Sequence, residues 1–329
     1  MLTTFFSAIG GKLSDRLAAI SAPALIFWLG GLLAWSCAHG GSHALARPAT
    51  WLSRQATFAQ VVIVAVVLVG IAASAVLVSL LTTPALRLLE GYWPGWASPL
   101  RRRLIQRVIL RGADADEQWQ QVAGQLFEAN AGADTEAGAD LDKTASAKRV
   151  AMRAELLAKY GRLERARDRR PSRPVHYLPT KTGNILRAAE TRPRDRYGLD
   201  AVAVWPRLWL VLPDSTKQEI SGARTALNSA VAASIWGILF LVFIPWTILA
   251  LPIGLAVCAA AVLVWVPARA WVFCQLVVAA FDVHRTLLYQ QLRWPLPVTP
   301  YDEQLRGKEV SSYLQKGSDD TAPTFTPPR

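Results

Sequence analysis

Seven polar side chains between Asn184 and Asp200 form the densest mixed-charge group of the chain: Asn184, Arg187, Glu190, Asp195, Arg196, Tyr197 and Asp200. Glu190 or Asp200 could act as a general base, and Arg187 could hold an anion. The spacing argues for a plainer role. Asn184, Arg187 and Glu190 recur at three-residue intervals, so one helical face presents them as an exposed, ion-paired surface. Histidine offers less. His39 and His43 are separated by Gly40 and Gly41, which disfavour the helix that i, i+4 ligation needs. Asp282, His284 and Arg285 would suggest proton transfer if they lay inside a membrane, but Arg285 and Arg293 continue the polar face of an interfacial helix. Asp134, Glu136, Asp140 and Asp142 imitate a calcium loop, yet Ala139 and Ala145 stand where glycine and glutamate are required. Cys37, Cys258 and Cys274 are odd in number and sit in or beside apolar sequence, which speaks against disulfides and zinc alike. There is no glycine-rich phosphate loop, nucleophile elbow or His-Glu-x-x-His. The expectation is therefore no catalytic residue, no cofactor, no metal and no enzyme.

The elements that carry these residues are unusual. Apolar residues make up 52% of the chain, and they collect in dense runs between strongly charged segments. With 36 basic against 24 acidic residues the formal charge is +12. Basic sequence beside apolar runs reads first as a positive-inside topology signal, so nucleic acid is not the expected partner. The excess of arginine and alanine suits a GC-rich bacterial genome. Phe5, Phe6, Ile9, Leu13, Leu17 and Ile20 alternate with Lys12, Asp15 and Arg16 at helical spacing, which predicts an interfacial amphipathic helix over 1–21. Residues 22–82 read as a transmembrane hairpin with spans at Ala22–Ala38 and Phe58–Leu81. Ala44-Leu45-Ala46 has the form of a signal cleavage site, but the preceding n-region is too long and amphipathic. Gly70 and Ser74 make a small-xxx-small pair of the kind common in membrane helices.

Residues 83–228 hold 25 of the 36 basic residues. Tyr92, Trp93 and Trp96 are followed by Arg101, Arg102, Arg103, Arg107 and Arg111, an aromatic belt and basic cluster typical of a cytoplasmic span end. Helices are expected at 118–130, 147–170 and 184–190, with a flexible linker near 131–147. Ala201–Leu212 is too short to span, and its Trp205 and Trp209 are expected to be buried against protein or the membrane surface. Residues 229–268 read as a second hairpin turning near Trp246–Leu251, with a re-entrant hairpin or a second helix continuing past Pro267 with a kink as the alternatives, residues 269–298 as a juxtamembrane helix, and 299–329 as a disordered cytosolic tail.

Two strings carry a resemblance. Leu178–Pro213, with its GN-x-LRAAE, RYGLD and WPRLW elements, and residues 279–297, AAFDVHRTLLYQQLRWPLP, are similar to segments of uncharacterised multi-spanning bacterial membrane proteins. The resemblance implies a membrane protein with a cytosolic insert and no particular activity. The fold expected is mainly α: a polytopic membrane protein, four transmembrane helices as two hairpins with a helical cytosolic insert, in a bacterial inner membrane with both termini cytoplasmic. The function expected is a non-enzymatic scaffold or oligomeric membrane assembly, with a channel or pore-forming effector gated by the cytosolic region as the alternative. Arg101, Arg102, Arg103, Arg107, Trp205 and Trp209 are the expected contacts for anionic lipid or an acidic protein partner, and a homo-oligomer is also expected. Single cysteines at Ser42 and Gly138, in a background lacking the native three, test the topology. In intact cells an impermeant maleimide is expected to label the first and spare the second; external labelling at Gly138 contradicts the orientation.

Overall fold

The computed structural model describes residues 22–135, 143–318 and 323–327, and every regular element among them is helical. The amphipathic helix expected over 1–21 lies outside the described residues. In chain order the helices are α1 (Ala22–Ala38), α2 (Ser42–Ser53), α3 (Thr57–Glu90), α4 (Ser98–Thr135), α5 (Lys143–Asp168), α6 (Lys181–Tyr197), α7 (Ala201–Val211), α8 (Asp214–Leu239), α9 (Ala250–Ala260), α10 (Val266–Gln291) and α11 (Pro300–Lys316). They form two compact units. One comprises residues up to Leu89 together with Gly222–Arg269; the other comprises Glu90–Ser221 together with Ala270–Arg329.

The first unit is apolar for a simple reason. Its described residues include no carboxylate and no lysine, and its arginines, Arg47, Arg54, Arg87, Arg224 and Arg269, leave α3 and the α8–α9 stretch free of charge over their middles. The helices starting at Thr57, Asp214 and Ala250 are long and apolar enough to cross a membrane, with mean hydropathies of 3.1, 2.0 and 2.2 over their most apolar windows. α1 is shorter than the ~20 residues a bilayer requires. It ends at Gly40 and Gly41, whose φ values of 99° and 70° suit glycine, and the chain turns by 106° into α2. Among the described residues three helices thus meet the length of a span, and a fourth arises only if the bent α1–α2 pair counts as one. α2 itself occupies what the sequence suggested was a short loop.

Packing in this unit follows small residues. Ala75, Val78, Thr82 and Leu86 form the buried ridge of α3, and Ala75 and Val78 cluster with Ala24 of α1 and Trp236 of α8. The Trp28 indole donates to the Ser74 hydroxyl at 3.1 Å, whereas a Cβ placed on Gly70, the other member of the small-xxx-small pair, would meet nothing within 4 Å. α8 and α9 pack directly against each other. Their backbones meet so closely that a Cβ on Gly237 would lie 2.7 Å from Cys258 N, and one on Gly254 would lie 2.7 Å from Gly237 O. After α9 the helix passes through a π-turn, Ala261–Trp265, directly before Pro267. A wider turn absorbs the donor that proline lacks, so α9 and α10 continue instead of breaking.

The second unit replaces several expected boundaries. α4 runs to Thr135 and α5 starts at Lys143, so the expected 131–147 linker is helical at both ends, while residues 136–142 lie outside the described residues. α6 starts earlier and ends later than 184–190, capped by Thr180 through its hydroxyl to Gly183 N at 3.0 Å. The tail is corrected most sharply. Residues 300–316 are the helix α11, not a disordered segment. Thr299 caps it by accepting from Asp302 N at 3.1 Å, Pro300 suits the first helical position, and Asp302 and Glu303 complement the dipole. Val310 is fully buried in a core with Leu199, Val204, Leu208, Phe281, Leu288 and Tyr289.

α11 can seat only because two glycines allow it. Gly198, at φ 72°, ends α6 against the backbone of Gln304, and Gly307 lies against the carbonyl of Tyr197 with no room for a side chain. Gly307→Ala is expected to cost about 2 kcal/mol or more by overpacking. Gly222→Ala, on a helical surface with nothing within 4 Å, is expected to be neutral or to gain up to ~1 kcal/mol from helix propensity. Thermal unfolding of the two variants in detergent checks the contrast.

Candidate functional site

α4 presents the basic surface. Leu100, Arg103, Arg107, Leu110 and Arg111 are exposed and fall within about 100° of one another on a helix of 3.6 residues per turn. Trp96, 84% exposed, precedes them in the 3-10 turn Gly95–Ala97. Leucine, tryptophan and arginine together make the composition of a membrane-interface face. The structure therefore unites Arg103 and Arg107, two of the four arginines singled out from sequence. Arg102 is exposed to one side of the stripe. Arg101 points the other way: its Nε is buried without an acceptor, on the side of α4 that Gly112 shares with Arg170 and Tyr177.

That inner side holds α4 and α5 together as an antiparallel pair. Trp119 donates to Glu164 Oε2 at 2.5 Å, its ring lies 5.7 Å from Tyr160, and the Arg167 guanidinium sits 4.4 Å above it. Asp116 pairs with Arg170 at 3.1 Å and Arg167 at 3.8 Å. Between this pair and α6 lies a polar cavity of about 280 Å³, lined by residues including Asp116, Asp168, Arg170, Arg192 and Asp195. Its charges are already matched. Arg192 reaches the Asp168 carbonyl at 2.7 Å and its carboxylate at 3.4 Å, while Asp195 accepts from Ser172 and pairs with Arg173 at 3.5 Å. A cavity so neutralised has little field left for a charged ligand.

The mixed-charge group from the sequence is dispersed into separate structural duties. Asn184 is buried and closes the 178–184 turn: its amide oxygen accepts from Leu178 N at 2.9 Å, and its nitrogen donates to the carbonyls of Leu178 and Thr180 at 2.7 and 2.8 Å. Arg187 pairs with Glu190 one turn on, at 2.8 Å. Asp200 caps α7 by accepting from Val202 N and Ala203 N. Tyr197 donates to Asp282 Oδ1 at 2.6 Å, and Arg196 reaches Oδ2 at 3.3 Å. Burial first, then that hydrogen bond and the Asp282 charge, hold the Tyr197 phenol above its usual value. It is a neutral donor at physiological pH.

α7 places the two tryptophans at the edge of the core. Ala201, Val204 and Leu208 are its buried face; Trp205 and Trp209 are half-buried, 5.8 Å apart, with Trp205 5.7 Å from Phe281. Pro206 sits in the second turn, not the first, which leaves the Val202 carbonyl without its i+4 donor. The outer face, Val202, Pro206 and Leu210, is exposed and apolar. Sequence reasoning did not register Glu303, which pairs with Arg285 at 2.6 Å. The signal was present as an acidic first turn after Thr-Pro, hidden by the assumption of a disordered tail.

Because Leu208 is fully buried and Trp209 is not, Leu208→Ala is expected to cost about 3 kcal/mol, and Trp209→Ala less. Melting temperatures of the two variants in detergent test the order, and a larger loss at Trp209 contradicts the packing described. Compared with known proteins, the chain matches no family model, no curated protein and no solved structure.

Proposed function

We propose that the protein is a non-enzymatic membrane scaffold or oligomeric assembly, whose apolar unit is embedded in a bacterial inner membrane and whose arginine-rich unit works at the anionic cytoplasmic face. The observation that carries this reading is the stripe Leu100, Arg103, Arg107, Leu110 and Arg111, in which leucines and unburied arginines share one helical face. Such a face gains from both apolar insertion and attraction to anionic headgroups. The charge-free middles of α3 and the α8–α9 hairpin support embedding, because each ionisable side chain at mid-depth would cost ~3 kcal/mol on insertion scales. Arginine dominates the residues after α3 while only Arg47 and Arg54 lie between α1 and α3, which favours the cytoplasm for residues 83–228 and both termini. An apolar groove of about 580 Å³, lined by Trp28, Trp35, Ile71 and Trp246 among others, gives the embedded unit a surface suited to hydrocarbon.

The second unit draws on both Glu90–Ser221 and Ala270–Arg329, so the test uses the full chain. A fluorophore placed by Leu110→Cys, in a background lacking the native cysteines, reports proximity to quencher-labelled lipid headgroups in proteoliposomes. Quenching is expected in anionic vesicles, to weaken at high salt, and to fall in Arg103→Ala and Arg107→Ala by roughly fivefold in docked population per residue. Equal quenching in neutral vesicles, or none lost in the double variant, overturns the proposal.

A further inference from the structure

Residues 323–327 return to the end of α10 and dock there. Thr326 N donates to Arg293 O at 2.8 Å, and the Thr326 hydroxyl donates to the same oxygen at 3.2 Å. In return Arg293 Nε donates to Thr326 O at 2.9 Å. Phe325 packs edge-on against Trp294 and Tyr313, with ring centroids 6.0 and 6.2 Å away, and those two rings lie 5.1 Å from each other. The docked sequence is Pro323-Thr324-Phe325-Thr326-Pro327. Its prolines favour an extended backbone before it is bound, so little conformational entropy is lost on docking.

Arg293 is a residue the helix end does not itself call for. It has φ 56°, and Trp294 N bonds to Tyr289 O at 2.8 Å. This is the left-handed position that closes a helix, where glycine is usual and a side chain costs on the order of 1–2 kcal/mol. An arginine held there is explained by what its side chain does, and its Nε grips the tail. Trp294 adds a second sign. It is only 4% exposed, and its indole N–H is buried with no acceptor, so the docked tail leaves one donor of the aromatic pair unused. The tail is also lightly held. Phe325 remains 51% exposed, and Thr324, Thr326 and Pro327 are exposed as well.

We infer that Arg293, Trp294 and Tyr313 form a recognition groove for an extended, proline-flanked peptide with an aromatic–threonine core, and that the chain's own tail occupies it in cis as a built-in competitor. Aromatic grooves that take proline-rich strands recognise them by this combination of ring contacts and backbone hydrogen bonds. The occupant the inference commits to is a partner peptide of that class. Tethering gives the tail an effective concentration in the millimolar range, enough to shield the groove from weak peptides and not from a better one.

The test uses the full-length protein in detergent and a fluorescein-labelled peptide of residues 321–329 as probe, read by anisotropy. In the wild-type chain the tail is expected to exclude the probe. In a chain carrying Phe325→Ala and Thr326→Ala the probe is expected to bind at least about tenfold tighter. Arg293→Gly added to that chain relieves the backbone strain while removing the Nε donor, so binding is expected to fall while the melting temperature holds or rises. Failure of the released chain to bind overturns the inference, as does full binding after Arg293→Gly. A wild-type dimer that disappears with Phe325→Ala overturns the cis assignment, since the tails would then be exchanged between copies.

Discussion

The Arg285 guanidinium holds the second unit together. It pairs with Glu303 of α11 through Nε at 2.6 Å and a second nitrogen at 3.4 Å, lies 4.1 Å above the Tyr197 ring of α6, and donates to the Asp282 carbonyl of its own helix. One side chain therefore binds three helices. Both partners of the ion pair are largely shielded, at 22% and 13% side-chain exposure. A pair so placed adds little net stability against an apolar substitute, yet leaving one partner alone costs about 3–5 kcal/mol. It acts as a register: α11 docks in the one position that satisfies the charge. The fork of the guanidinium fixes that position in a way a lysine ammonium would not.

The same junction accounts for much else. With α11 in place, Ser311 receives the Asp200 N–H at 2.8 Å and donates to Gly307 O at 2.7 Å. Asp200, oriented in part by that bond, caps α7 and accepts from Gln315 at 3.3 Å. Val310 then completes the buried layer of Leu199, Val204, Leu208 and Phe281. Leu178–Pro213 and residues 279–297 meet in this layer through Tyr197–Asp282 and Trp205–Phe281. Their polar residues serve turn closure, capping and ion pairing.

Each unit uses glycine for a different constraint. In the apolar unit Gly237 and Gly254 let two helix backbones touch, as small residues do where helices pack closely. In the polar unit Gly198 and Gly307 let a capped helix lie against a helix end. Arg293 is the counterexample, a side chain kept at a left-handed position because it contacts the tail.

By itself the sequence determined what local chemistry determines: a mainly helical chain, the apolar runs of α3, α8 and α9, the turn between α8 and α9, and the break at Gly40–Gly41. These follow from composition, periodicity and backbone preference, none of which needs a distant partner. Only the tertiary structure decided the rest. Arg101 and Arg103 are two residues apart, yet they face opposite sides of α4, and nothing local says which side Arg170 and Tyr177 will cover. Trp205 and Trp209 read as buried against protein or the membrane surface, but the buried ridge of α7 runs through Val204 and Leu208, because Phe281 and Leu288 arrive from a helix roughly 80 residues away, a separation no local pattern encodes. α11 carried its cap and acidic first turn in plain view, and reading it as disorder ignored them. Its polarity argued against a helix with anything to bury until Arg285 and the α6–α7 layer supplied the surface it covers.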